Sequence, residues 1–449
     1  MRSRISMARR GRVCSLLAAS VLFFGWPVQT SAYAVLSHEA IIDSAWITSI
    51  QPLLLRRFPL ATPDELNEAH GYAYGGAIIQ DMGYYPHGNR FFTDLTHYVR
   101  SGDFVLALLR DSKDLNGYAF ALGALSHYAA DNQGHRIGVN RSVPRLYPQL
   151  ARKYGDVVTF EESPLAHVKT EFGFDVSQVA KARYAPDSYH DFIGFGVSAS
   201  LLEQAFRETY GLELKSVLPD EDQVLGSYRH DVSQLIPKAT RIAWSLQKDA
   251  IMKDEPGMTK KRFIYNLSRA SYRKNWGRDY RGPTMGERLI AFLIRIIPKI
   301  GPLKVLQFRA PTPETQRLFE ASFNATLNQY RELLAQVGAG KLDVPNDNLD
   351  TDQVSGPGDY RMDDETQARL LDALAKQDFA GMPAALRTEL LDFFGHPNAP
   401  YAIRRKPKEW AKVQAELDRL KQTAPPAVIT GADSLPNERE DTAPRSYHF

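Results

Sequence analysis

The chain is predicted to be all-α, a helical domain with a helical C-terminal extension. Three observations carry the class. Apolar residues recur mostly at three- and four-residue spacing, no sustained alternation marks strands, and no repeat of 20–50 residues is visible. A chain of 449 residues, 43% hydrophobic, has ample apolar surface for a core.

The first element is an export signal. Residues 1–32 carry Arg2, Arg4, Arg9, Arg10 and Arg12 and no acidic residue, followed by the apolar run Val13–Trp26. That run is too short to span a bilayer, so residues 1–32 read as a secretory leader and the chain as secreted or periplasmic. Cleavage fits before Tyr33 or before Val35. The whole chain has 55 Lys+Arg against 52 Asp+Glu. Without the leader the balance is 50 against 52, so the net charge moves from +3 to −2. The single cysteine, Cys14, lies in the leader. Disulfides and thiolate metal sites are thereby excluded from the mature protein. A metal site must use His and carboxylates.

Periodicity places helices at His38–Ile47, Asp103–Leu109, Tyr118–Asp131, Pro164–Phe172, Phe192–Tyr210, Asp231–Lys248, Glu287–Ile297 and Thr315–Ala335. A first helical domain is expected over 33–250, with a basic and apolar helical extension over 251–340. Residues 343–365 hold eight acidic side chains and only Arg361 to offset them. A like-charge run stays in water, so 341–365 reads as a solvated linker. Asp347, Asp350 and Asp352 lack the offsets of a calcium-binding EF-hand. Short helices at Asp364–Asp378, Pro383–Phe394 and Lys408–Gln422 make up a segment 366–423, and a Pro-rich polar tail over 424–449 reads as disordered.

Eight of the eleven histidines lie between His38 and His190. His127 and Asp131 are four apart, as are His167 and Glu171, which sets imidazole and carboxylate one turn apart on one helix face. Gly134 is expected to end the first of these helices, leaving His135 in the turn beyond. Ser163 and Pro164 suit the start of the second. Asp81 follows the apolar run Ala77–Ile79 and is expected at a helix end, where a buried carboxylate needs a charged partner or a metal. His97 lies in a stretch that is mostly apolar apart from Asp94, and His38 stands a few residues after the expected cleavage sites. Such a thiol-free His and carboxylate set suits zinc in open, catalytic sites. Di-iron helical proteins would need Glu-x-x-His, which is absent.

The order His38, Asp81, His97, His127-x3-Asp131-x3-His135, His167-x3-Glu171 resembles the zinc-dependent phospholipase C family. Gly-Gly-Ala-Ile-Ile-Gln-Asp81, Leu-Thr-His97-Tyr-Val and Ala-Leu-Ser-His127-Tyr-Ala-Ala-Asp131 also resemble the N-terminal domain of glycosylphosphatidylinositol-specific phospholipase D. The single-strand-specific zinc nucleases share the fold. The resemblance runs from about Tyr33 to Asp175. It implies two to three zinc ions. Asp81, His97, His127 and Asp131 would hold one, and His135, His167 and Glu171 a second. His38, a bridging oxygen of Asp131 and the N-terminal amine and carbonyl of Tyr33 would hold a third, which requires cleavage before Tyr33. Zinc lowers the pKa of bound water to about 7, which suits phosphoric ester hydrolysis at neutral pH. Asp81 is the expected catalytic residue, orienting or deprotonating the attacking water.

The reading that follows is an exported hydrolase cleaving phospholipid headgroups. A single-strand-specific nuclease and a non-catalytic zinc-stabilised surface-binding protein are the alternatives. Residues 260–281 interleave eight Lys and Arg with five aromatics, a composition suited to headgroups or to stacked bases. With the apolar run that follows, 260–306 is the expected peripheral membrane contact, and the tilt is towards phospholipid over nucleic acid.

Overall fold

In the computed structural model, residues 35–85, 87–180, 196–220, 223–226, 248, 249, 252, 259 and 308–423 are described. The leader, Tyr33, the helices expected at Asp231–Lys248 and Glu287–Ile297, the stretch 260–306 and the tail 424–449 lie wholly or almost wholly outside the described residues. Among the described residues there is no strand, only one isolated antiparallel bridge between Asn348 and Gln353. The all-α expectation holds.

The chain opens with α1 (Val35–Ala45), extended by a wide turn at Trp46–Ile50 into α2 (Gln51–Arg57). Helix α3 (Pro63–Gly76) has a full capping box: the Thr62 hydroxyl accepts from the Glu65 amide and the Glu65 carboxylate accepts from the Thr62 amide. Pro63 occupies the first helical position, where its missing amide costs nothing. A 3-10 turn (Ile79–Tyr84) leads to α4 (Arg90–Tyr98), α5 (Ser101–Asp111) and the central helix α6 (Leu115–Gln133). Every residue of α6 from Gly117 to Gln133 is buried, as expected for a helix apolar around its whole circumference. It crosses α3 at backbone contact. A Cβ on Gly76 would lie 1.9 Å from the Phe120 carbonyl oxygen, and one on Gly123 would lie 2.1 Å from that of Ala73.

Beyond α6 the chain does not turn out at Gly134. Gly134 keeps right-handed helical dihedrals (φ −62°, ψ −49°) and a π-helical turn spans Gly134–Val139, leading directly into α7 (Asn140–Leu146). The expected helix end at Gly134 is therefore corrected. A glycine stops a helix when its φ turns positive, and here the packed neighbours keep it helical. Helices α8 (Pro148–Tyr154), α9 (Pro164–Ala180), α10 (Ala199–Tyr210) and α11 (Leu214–Val217) follow. The helix expected from Phe192 begins only at Ala199. Residues 196–198 run irregularly across α3, with the Gly196 amide donating to the Gly71 carbonyl at 2.9 Å.

Two expected boundaries also change. Helix α12 (Pro313–Gly338) packs on α6 and on the Gly134–Val139 turn, and the Tyr330 hydroxyl donates to the Leu122 carbonyl at 2.9 Å. It is part of the core, not an appended extension. The acidic run is not a solvated linker. Val344, Leu349 and Tyr360 are buried, and so are Asp350, Asp363 and Asp364. It forms a strap fastened along α5 and α6: Ser101 Oγ donates to the Asp347 carbonyl at 2.6 Å, and the Asp103 amide to Asn346 Oδ1 at 2.9 Å. Tyr128 Oη donates to Asp347 Oδ2 at 2.7 Å. Gly102 makes the close approach feasible, since a Cβ there would meet the Val344 carbonyl oxygen at 2.2 Å. Net charge favoured solvent, but apolar residues spaced through the run and donors waiting on α5 and α6 outweigh it. Helices α13 (Arg361–Lys376), α14 (Ala384–Phe393) and α15 (Pro407–Gln422) close the chain, and α13 packs on α4. One hydrophobic cluster runs from Val35 to Leu420, so the expected segments at 341–365 and 366–423 share the core of the first domain.

Candidate metal centre

Asp131 is the hub. The periodicity of α6 points it inward with His127, and it is wholly buried. Its two oxygens face different imidazoles. Oδ1 lies 3.6 Å from His38 Nε2, while Oδ2 lies 3.1 Å from His97 Nε2, 3.2 Å from His127 Nε2 and 3.9 Å from His135 Nε2. His38 comes from α1, His97 from α4, and His135 from the π-helical turn that carries it one turn beyond Asp131 on the same face. Asp81, on the 3-10 turn, has Oδ1 3.4 Å from His97 Nε2. His97 and His127 face each other Nε2 to Nε2 at 3.4 Å, and the His38 and His127 rings stack at 4.6 Å.

These separations fit metal ligands. With zinc bonds of about 2.0–2.2 Å, ligand atoms at the corners of a tetrahedron stand about 3.4 Å apart. Within Asp81, His97, His127 and Asp131 the closest pairs are 3.1–3.4 Å apart. Among the described residues two triads, Asp81–His97–His127 and His38–His127–Asp131, have ligand atoms all within 4.8 Å of one another. The outer ring nitrogens fit equally well. His97 Nδ1 donates to the Thr93 carbonyl and His127 Nδ1 to the Ala77 carbonyl, each at 2.9 Å. His167 Nε2 donates to the Val158 carbonyl at 2.6 Å. A carbonyl only accepts, so each of these nitrogens carries the proton and the other nitrogen is left as a lone-pair donor to the centre.

The second group is looser. In α9, His167 Nδ1 stands 3.8 Å from Glu171 Oε1, and the His135 and His167 rings stack at 5.6 Å. His135 Nε2, His167 Nδ1 and both Glu171 oxygens are buried without a hydrogen-bond partner. Buried polar atoms are normally paired, and four such acceptors in one place are the donor set a bound cation would satisfy.

The charges tell the same story. Burial, and then His127, lower the pKa of His38 to about 4, and burial and His135 lower that of His167 to about 3. For His97 burial works against the charged form, but Asp131 and Asp81 outweigh it and raise its pKa to about 10. Burial and then the carboxylates of Asp131, Asp81, Asp350 and Asp175 push Glu171 well above the usual range. The buried carboxylates thus favour positive charge at the centre.

All eight described ligand-type residues expected from the sequence therefore converge on one buried centre. Tyr33 lies outside the described residues, as does any contribution of the N-terminus. Sequence reasoning missed Asp350. The strap brings its Oδ1 within 3.4 Å of His135 Nε2, and its Oδ2 accepts from the hydroxyls of Tyr98, at 3.0 Å, and Tyr360. Burial, then Asp350, hold both phenols well above their usual pKa, so they remain donors. The only local signal was a buried-type pattern, Leu349 and Tyr360, inside an acidic run.

Comparison with known proteins gives one match. Residues 37–219 match the family model described as zinc dependent phospholipase C, a longer stretch than the resemblance to Asp175 expected from sequence. No curated protein and no solved structure matches.

Proposed function

We propose that this chain, whose residues 37–219 match the family model described as zinc dependent phospholipase C, is an exported hydrolase of phosphoric esters that cleaves phospholipid headgroups. The observation that carries the reading is the Asp81–His97–His127–Asp131 set, in which four pairs of ligand atoms stand 3.1–3.4 Å apart, the edge length of a zinc tetrahedron. When bound, zinc supplies charge stabilisation for the phosphoryl oxygens and an acidified water.

The chain's own residues do the rest. The Thr93 and Ala77 carbonyls orient His97 and His127. Asp131 divides its oxygens between His38 on one side and His97, His127 and His135 on the other, so one carboxylate ties the two triads together. Asp81, buried beside His97, would both hold the zinc and orient or deprotonate the attacking water. Export is supported by the order of basic, apolar and small residues over 1–32. Among the described residues no helix is long and apolar enough to cross a membrane.

The test pairs zinc content of the purified protein with hydrolysis of phosphatidylcholine and of single-stranded DNA. The expected result is zinc, release of phosphocholine and no DNA cleavage, with activity lost in His127→Ala. DNA cleavage in place of lipid hydrolysis would replace the substrate assignment. Zinc with neither activity would point to a stabilising or binding role.

A further inference from the structure

The strap residue Asp350 sits at the centre without a role in the reading above. It is 2% exposed, and among the described residues no Lys or Arg pairs with it. An ionised carboxylate in that position needs a compensating positive charge. Its placement is fixed on every side. The Asp350 amide donates to Asn348 Oδ1 at 2.9 Å, and its carbonyl accepts from Asn140 Nδ2 at 2.8 Å. The preceding residue, Leu349, donates its amide to the His97 carbonyl at 3.1 Å. With Oδ2 engaged by Tyr98 and Tyr360, Oδ1 is turned to His135 Nε2.

We propose that Asp350 is a ligand of the metal held by His135, His167 and Glu171, delivered by the C-terminal strap. The proposal rests on the zinc reading above. Its first support is the 3.4 Å separation of Asp350 Oδ1 from His135 Nε2, which matches the Asp81–His97 pair and the edge of a zinc tetrahedron. That distance is long for a directed N–H···O bond, and His135 Nε2 makes no hydrogen bond. The two phenols give Asp350 the kind of outer support that ligating carboxylates have. Three ligands from 135–171 would leave a tetrahedral zinc one protein ligand short of four, and Asp350 Oδ1 is the carboxylate oxygen beside His135 Nε2. The segment after 340 is then part of the metal centre, although residue 350 lies well outside the family match at 37–219.

Cys14 is the only cysteine, which allows a clean spectroscopic test. Asp350→Cys in a Cys14→Ser background is loaded with cobalt(II) and its near-ultraviolet spectrum compared with that of Cys14→Ser alone. A thiolate-to-cobalt charge-transfer band is expected only in the Asp350→Cys protein. Its absence from a folded, cobalt-loaded variant overturns the assignment. The near-isosteric Asp350→Asn serves if the cysteine variant does not fold. One zinc equivalent is then expected to bind at least about tenfold more weakly in chelator competition. Unchanged zinc count and affinity in Asp350→Asn overturn the assignment while leaving the hydrolase reading intact. Failure of the unaltered chain to take up zinc overturns both.

Discussion

Zinc uptake is expected to release protons, in numbers that follow from the fold. In the metal-free centre His97 has its pKa raised to about 10, and His127 is also raised, by the charge of Asp131 against the opposing effect of burial. His38 and His167, at about 4 and about 3, are already neutral at pH 7 and release nothing. Glu171, raised well above its usual range, contributes a further proton when its metal binds. Displacing the His97 proton at pH 7 works against a gap of about three pH units, worth about 4 kcal/mol. Apparent zinc affinity should therefore rise about tenfold per pH unit from this one residue. The sign reverses without metal. The His97 contribution to stability is fully present below its unfolded pKa of 6.5 and is lost as pH rises through about 10. The assay is isothermal titration calorimetry at pH 7 in buffers of different ionisation enthalpy, with chelator competition between pH 6 and 8. Heats that do not depend on the buffer, together with an affinity that does not change with pH, would refute the reasoning.

Zinc at a hundredfold its dissociation constant should stabilise the fold by about 2.7 kcal/mol, seen as a rise of several degrees in Tm by scanning calorimetry. His127→Ala should abolish that rise, and an undiminished rise would count against the site. Gly102→Ala drives a methyl into the Val344 and Pro345 carbonyls, so a loss of about 1–3 kcal/mol is expected in urea unfolding. A neutral Gly102→Ala would mean the strap is not fastened there. Burial and the nearby Asp372 raise the Glu416 pKa to about 7, so its ionisation penalises the fold as pH rises from about 4.5 through 7. Glu416→Gln should stabilise by about 1 kcal/mol at pH 8, after discounting for solvent screening, and hardly at all at pH 4. Thermal melts at the two pH values check this, and equal shifts at both would contradict the sign.

The helical class and most helix cores were legible because amphipathic spacing is local. His127 with Asp131, and His167 with Glu171, were legible for the same reason: four residues on a helix is one turn. What hid the rest was competition between local rules and packing. Gly134 is a stop signal that the fold leaves unused, because the chain between α6 and α7 stays helical under α12. Of the helix expected over Phe192–Tyr210, the described part begins at Ala199, because Gly196 hydrogen-bonds across to α3 instead of continuing a helix. The acidic run looked solvated because its charge is visible in sequence, while the donors that hold it, Ser101, Tyr128 and Asn140, are remote.

The sequence by itself determined the chemistry available: no thiol after Cys14, a set of histidines and carboxylates in a recognisable order, and two inward-facing pairs at helical spacing. Those follow from composition and from geometry within a single turn. Only the tertiary structure decided that one carboxylate, Asp131, serves imidazoles from α1, α4, α6 and the turn after it. It also decided that Asp350, on a strap near the far end of the chain, closes on His135. Contacts between such distant positions are set by how helices pack, and no periodicity along the chain encodes them.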